Sequence, residues 1–359
     1  MFQRLLMRGT TFRNRVLMSP MCMYAAEDGF PDRWHLAHYG ARAAGGVGGI
    51  IVEATAVSPE GRITPGDLGI WNEAQVKAHG NLVDVIERDG AVAGIQLSHA
   101  GRRSGRTLPW NGNRYIAGEE WGPRISASAL AYSEASPVPH GLKENEIRAV
   151  IGEFAAAARR AAMAGYRLVE LHFAHGYLLH QFISPLTNHR SDGYGVEEGV
   201  HTRLPVEIVE VVRDAVGPEI IVSVRLSVVD WIEGGLRLEH SVRLSAALKS
   251  AGADIIDVSS GALVPGEKIS PEPGYHAPFA RAIREETGVA TAVVGLVTEP
   301  RQAQAHLDAG DADLILLGRA LLRDPYWVAR EFENAENKGD LFPLPYRRAL
   351  AGMKTRRVW

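Results

Sequence analysis

The feature that most constrains this chain is a strand–helix alternation that repeats almost to its end. Eight short runs of apolar and β-branched residues stand at 15–19, 49–53, 92–97, 168–172, 220–226, 255–259, 291–294 and 314–317. Between them lie stretches with helical periodicity, among them 73–89, 144–164, 238–251, 278–286 and 300–309, several followed by a glycine able to take a positive φ. Strand, helix, strand, repeated without hairpins, implies parallel pairing, and eight such units are the number that closes a barrel. The fold class expected is therefore α/β, a (β/α)8 barrel, with a doubly wound open sheet as the alternative. The 359 residues would suggest two domains on length alone, yet barrels of this kind often run past roughly two hundred residues as one unit. A single domain over 1–359 is expected, with a capping insertion at about 103–140 after the third strand and a C-terminal tail at about 343–359.

Charge and cysteine content exclude several functions. A formal net charge of -3 offers no broad basic field for nucleic acid or an anionic membrane. No stretch approaches the roughly 20 apolar residues of a membrane span, and the N-terminus lacks a sustained apolar signal region, so a cytoplasmic protein is expected. Cys22 is the only cysteine, which removes intrachain disulfides, four-cysteine zinc sites and iron–sulfur clusters. The cluster Gly45-Gly46-Val47-Gly48-Gly49 precedes a strand, whereas a dinucleotide fingerprint follows one; it reads as a tight turn between helix and strand.

Chemistry in a barrel is built where strands end, and here the ends are polar. Gly295 and Gly318-Arg319 follow strands seven and eight, where a phosphate would find backbone N–H groups and a guanidinium; turn glycines and a surface arginine are the plainer reading. Arg225 is a charge in an otherwise apolar strand and needs a partner, either an anionic ligand or a structural carboxylate. Gln96 can both donate and accept, to a ligand edge or to backbone. His172, His175 and Tyr177 place two imidazoles and a phenol at the exit of strand four, a set able to polarise a carbonyl and deliver a proton. Their HxxH spacing lacks a third ligand nearby, so no metal site is expected. Cys22, in Ser19-Pro20-Met21-Cys22-Met23-Tyr24, reads by itself as a small buried hydrophobe.

Taken in order along the chain, these residues resemble the old yellow enzyme family of FMN-dependent ene-reductases, in its thermophilic-like and xenobiotic reductase subclass. The resemblance covers nearly the whole sequence and extends to Gly61-Arg62-Ile63-Thr64, His99-Ala100-Gly101-Arg102 and Ser184-Pro185-Leu186-Thr187-Asn188-His189-Arg190. It implies that Cys22 tunes the flavin, Tyr24 reaches the substrate, His172 and His175 hold its carbonyl and Tyr177 donates the proton. It also implies flavin contacts from Ser19, Pro20, Met21, Cys22, Ala54, Gln96 and Arg225, and phosphate contacts from Gly318 and Arg319 with Gly295, Ser260 and Gly261 beside them. Arg348, in Tyr346-Arg347-Arg348, resembles the arginine that subclass members insert into a neighbouring subunit's substrate site, which implies a homodimer or homotetramer. Two departures stand out. Arg103 occupies a position where lysine is common, and 196–204 does not follow the family's usual Gly-Ser-x-Glu-Asn-Arg pattern.

The activity implied is a ping-pong reduction in which NADPH or NADH delivers hydride to FMN and an α,β-unsaturated carbonyl compound, a quinone or a nitro compound then takes it up. Two rivals are weighed against it. A Schiff-base lyase or metal-dependent hydrolase on the same barrel would need a lysine at a strand end, and none of the six lysines lies there. A noncatalytic FMN-binding or redox-sensing barrel would have no use for the His172, His175 and Tyr177 set.

Overall fold

The computed structural model describes residues 1–331 and 342–347 in full and the backbone of 332 and 348–350. Eight strands form the barrel: β1 (Val16–Met18), β2 (Gly49–Ala56), β3 (Val92–Ser98), β4 (Leu168–Phe173), β5 (Ile221–Ser227), β6 (Ile255–Ser259), β7 (Ala290–Val293) and β8 (Leu314–Leu317). Each pairs in parallel with its neighbours, and the pairings of β8 with β1 and β1 with β2 close the ring. Around it stand α1 (Arg33–Ala44), α2 (Glu73–Arg88), α3 (Glu144–Ala164), α4 (Arg203–Val216), α5 (Leu238–Ala251), α6 (Ala277–Thr287) and α7 (Pro300–Asp308). The open-sheet alternative is thereby set aside.

Side chains alternate across each strand, so one set faces the helices and the other fills the ring. On β4, Val169 and Leu171 pack outward with the helices, while Leu168 joins Ile221, Ile255 and Leu314 in a separate inner cluster. The inner set changes character along the barrel axis. Leu168, Ile221 and Ile255 at the strand starts give way to Glu170, Arg225 and Asp257, and then to His172, Ser227 and Ser259 at the ends. A dry floor thus supports a polar middle and a reactive mouth.

The floor is closed by a hairpin that sequence patterning does not reveal. Leu5–Met7 and Thr10–Phe12 pair antiparallel through Arg8 and Gly9, whose φ values of 46° and 74° make the left-handed two-residue turn that suits a twisted hairpin. Phe12 is fully buried against the first residue of β2; a Cβ on Gly49 would lie 3.1 Å from its ring. Gly48 carries the same constraint, since its Cβ would meet the Asn14 carbonyl oxygen at 2.2 Å. The glycine cluster is the tight α1-to-β2 turn that the sequence suggests.

Strand β2 runs three residues past its expected end, through an irregularity between Val52 and Ala54 that leaves Ala54 level with Gln96. The insertion after β3 forms a cap with short helices at Gly101–Arg103, Pro109–Asn111 and Gly118–Trp121 and a small parallel pair, Ile125–Ser126 with His140–Gly141. Buried Arg102 fastens it, donating to the carbonyls of Leu130 and Ala131 in the cap and of Leu263 after β6. The divergent 196–204 segment makes a compact turn in which Glu197 and Val200 pair, and His201 bonds Gly195 O and accepts the Leu204 N–H at the start of α4.

Candidate active site

The loop after β4 brings His172, His175 and Tyr177 together. The His172 ring lies 5.1 Å from that of His175 and 4.9 Å from that of Tyr177, edge to face with both. His172 Nδ1 accepts the Ala174 N–H at 3.3 Å, which leaves the proton on Nε2 and makes that atom a donor. His175 has a φ of 56° and holds that conformation through its N–H to Ser227 Oγ at 3.0 Å; its Nε2 meets Ser259 Oγ at 2.7 Å. Burial, followed by the charge of Arg225, pushes both imidazoles well below the usual histidine range, so both are neutral. Burial also raises the Tyr177 phenol, which keeps its proton.

Arg103 stacks over Tyr177 at 5.3 Å and over Tyr132 of the cap at 4.9 Å, and donates to the carbonyls of His175 and Ala262. It therefore ties the reactive loop to the cap and to the β6 exit. Behind the loop, the Gly176 N–H is accepted by His180 Nδ1 at 3.0 Å, and His180 Nε2 donates to buried Asp230 at 2.9 Å.

Cys22 is partly buried on the loop after β1. Burial pushes its thiol well above the usual range, the carboxyls of Asp67 and Glu53 add to the shift, and the neighbouring Tyr24 phenol offsets a part of it. Tyr24 adopts a left-handed φ of 56° and meets Trp110 of the cap edge to face at 6.3 Å. What holds this loop is Glu53, fully buried, whose carboxyl accepts the Met23 N–H at 2.7 Å and the Tyr39 O–H at 3.1 Å. A cavity of about 590 Å³ opens between Tyr24, Arg62, Leu108, Ile116 and Trp121, beneath the cap.

Arg225 has the structural partner that was one of its two readings: its Nε lies 3.2 Å from Asp257 Oδ2, and its Nη1 donates to Ser19 Oγ at 3.0 Å. Gln96 Nε2 donates to Glu170 at 2.9 Å, which leaves the amide oxygen as the acceptor for anything above it. Sequence reasoning singled out Arg225 as a charge in an apolar strand and missed Glu170 and Asp257, which carry the same signal. Ser259, bonded to His175, was read only as a strand end.

Gly295, Gly318 and Arg319 come together as expected, lining with Arg323 and Thr298 a cavity of about 330 Å³ at the exits of β7 and β8. Ser260 and Gly261 do not line it. Ser260 Oγ bonds His276 Nε2 at 2.8 Å, and His276 Nδ1 bonds Val294 O at 2.6 Å, so Ser260 braces the cavity wall from behind. The Gly261 carbonyl accepts from Ser227 Oγ at 2.9 Å. Pro20 and Met21 sit on the loop after β1, and Met21 Sδ lies 3.4 Å from where a Gly318 Cβ would be. The side chain of Arg348 lies outside the described residues. Among the described residues no helix is long and apolar enough to cross a membrane.

Comparison with known proteins fits this geometry. The family model described as NADH:flavin oxidoreductase / NADH oxidase matches residues 1–337. An NADPH dehydrogenase of Listeria welshimeri is 44% identical over 332 residues, 91% of this chain and 93% of that protein. One from Geobacillus thermodenitrificans is 44% identical over 323 residues, 89% and 90% of the two chains. Among solved structures, morphinone reductase superposes with a TM-score of 0.77 at 27% identity, covering 92% of this chain and 88% of the other. An old yellow enzyme homologue from Zymomonas mobilis does so with 0.77 at 28% identity, over 93% and 92%.

Proposed function

Because the chain belongs to the old yellow enzyme family of FMN-dependent NAD(P)H oxidoreductases, we propose that the cluster at its barrel mouth reduces the activated C=C bond of α,β-unsaturated carbonyl compounds. FMN, when bound, supplies the hydride relay between NAD(P)H and that acceptor. The residues present suit the group. Two arginines and two glycines around a 330 Å³ cavity are phosphate chemistry, and a guanidinium, an amide oxygen and a serine hydroxyl at the strand ends are the donors and acceptors that an isoalloxazine edge needs.

The observation that carries the reading is the grouping of His172, His175 and Tyr177 in one ring-to-ring cluster on the loop after β4. His172 Nε2–H donates to the substrate carbonyl oxygen, and His175 joins it by giving up its Ser259 contact. Neutral donors are sufficient, because negative charge grows on that oxygen as hydride arrives at Cβ, so their hydrogen bonds strengthen in the transition state. Tyr177 delivers its phenolic proton to Cα. Ser19, Pro20, Met21, Cys22, Ala54, Gln96 and Arg225 hold the flavin ring, Gly295, Gly318 and Arg319 its phosphate, and Ser260 and Gly261 the wall between them. Tyr24 and the cap shape the substrate entrance. A cytoplasmic homodimer or homotetramer, with Arg348 entering the neighbouring site, belongs to the same reading.

The test is Tyr177→Phe examined in separate half-reactions. Flavin reduction by NADPH is expected to proceed at the wild-type rate and reoxidation by an enone to slow; equal losses in both would remove Tyr177 from the proton-donor role.

A further inference from the structure

Two carboxyl groups are buried in the barrel against a single guanidinium. Glu170, Arg225 and Asp257 stand on the adjacent strands β4, β5 and β6, all pointing inward, and neither carboxyl has any exposure. Glu170 accepts from Gln96 Nε2 and from Ser223 Oγ, both at 2.9 Å. Asp257 has only Arg225, with Nε at 3.2 Å, and neither of its oxygens takes a hydrogen bond. The other ionisable groups that feel Arg225 are His172 and His175 from β4 and its loop, and Tyr275 and His276 from the segment before α6. Burial keeps all three imidazoles neutral and the phenol protonated. The count is then one cation and two carboxyls. Two ionised carboxylates would leave a net negative charge among groups with no exposure to solvent, a costly state that holding one proton avoids.

We propose that Glu170 and Asp257 hold one proton between them and accept a second when electrons enter the flavin site, so that they tie the flavin's potential to pH. They are positioning residues, acting through Arg225. The proposal rests on the reading that Arg225 faces the flavin. Hydride transfer brings two electrons and one proton from NAD(P)H and releases NAD(P)⁺. The added negative charge faces Arg225, which can no longer balance a carboxylate as well, and a proton passes from bulk water to an oxygen of the pair. The proton belongs to the pair rather than to either residue. Flavin reduction and proton uptake are thereby linked in both directions.

The experiment is a spectroelectrochemical titration of the holoprotein at a series of pH values on both sides of neutrality, for wild type and the double variant Glu170→Gln/Asp257→Asn, since either single variant keeps one carboxylate beside Arg225 able to take the same proton. In the window where the second proton is taken up, the wild-type potential is expected to fall by about 30 mV per pH unit more than that of the double variant, the equivalent of a tenfold change in a two-electron equilibrium. A dye measurement of protons taken up per two electrons, in weak buffer, is expected to give a larger count for wild type than for the double variant. Equal slopes and equal counts in wild type and the double variant would overturn the proposal. Should the double variant fail to fold, the reduced-minus-oxidised infrared difference spectrum of the wild-type holoprotein decides it: a carboxylate band lost and a protonated-carboxyl C=O band gained on reduction is expected, and reduction without that gain would overturn the proposal. A wild-type protein that binds no FMN refutes the site reading and this proposal with it, whereas bound FMN with unchanged slopes refutes the shared proton alone.

Discussion

Removing the Asp230 carboxylate should destabilise the protein and loosen the reactive loop at once. Asp230 is fully buried after β5 and accepts three hydrogen bonds: from His180 Nε2 at 2.9 Å, Ser184 Oγ at 2.6 Å and the Leu236 N–H at 2.8 Å. Asp230→Ala strands all three donors where water does not reach, at on the order of 3–5 kcal/mol for breaking a buried pair of this kind. With an unfolding entropy of about 2 cal/mol/K per residue, ~4 kcal/mol spread over a chain of this length lowers the melting temperature by about 5 °C. The assay is thermal unfolding followed by circular dichroism. Burial pushes the Asp230 carboxyl up, but His180 and the N–H and O–H donors outweigh it and hold it below its ordinary value. A depressed carboxyl contributes stability above its unfolded pKa and loses it as pH falls through the folded one, so the deficit of Asp230→Ala should shrink in acid. His180 also accepts the Gly176 N–H, between His175 and Tyr177, so enone turnover should fall as well. A melting temperature within a degree of wild type at neutral pH would refute this account of the network.

Three further outcomes are expected. Tyr177→Phe should slow the enone half-reaction by about 10²–10⁴-fold, the usual worth of a positioned general acid, with reduction by NADPH unaffected in stopped-flow traces. Arg319→Ala should weaken FMN binding by roughly tenfold to a hundredfold, the loss of one charge-assisted contact, read from the recovery of free flavin fluorescence. Burial raises the Glu53 carboxyl to about 8, against its hydrogen bonds from Met23 and Tyr39. A carboxyl raised on folding contributes stability below its unfolded pKa and loses it as pH climbs through the folded value. Wild type should therefore lose more melting temperature than Glu53→Gln between about pH 5 and about pH 8; parallel curves would count against a raised Glu53.

Much of the architecture was legible because β-branched runs, helical periodicity and terminal glycines are local signals. The eight strands fall within a residue or so of their expected bounds except at β2, where an irregularity between Val52 and Ala54 carries the strand on to Ala56. The floor hairpin escaped notice because its two strands are only three residues long and its turn residues, Arg8 and Gly9, lie outside the strongest turn pairs. In the site, His172, His175, Tyr177, Gly295, Gly318 and Arg319 were visible from their positions at strand ends. Glu170 and Asp257 are mid-strand, and only the inward alternation of β4 and β6 shows that they share a space with Arg225. The strained Tyr24 and its Glu53 anchor depend on contacts between distant segments, which no local pattern carries.

The central claim is that this barrel is a flavin enzyme whose one site serves both half-reactions. The most direct test is the visible spectrum of the purified protein, kept anaerobic, through addition of NADPH and then of cyclohexenone. The expected result is a yellow protein that bleaches with NADPH and regains its colour with the enone. A protein that stays colourless and takes up no added FMN would contradict the account, and one that bleaches but does not recover would contradict its assignment of the His172, His175 and Tyr177 cluster to enone reduction.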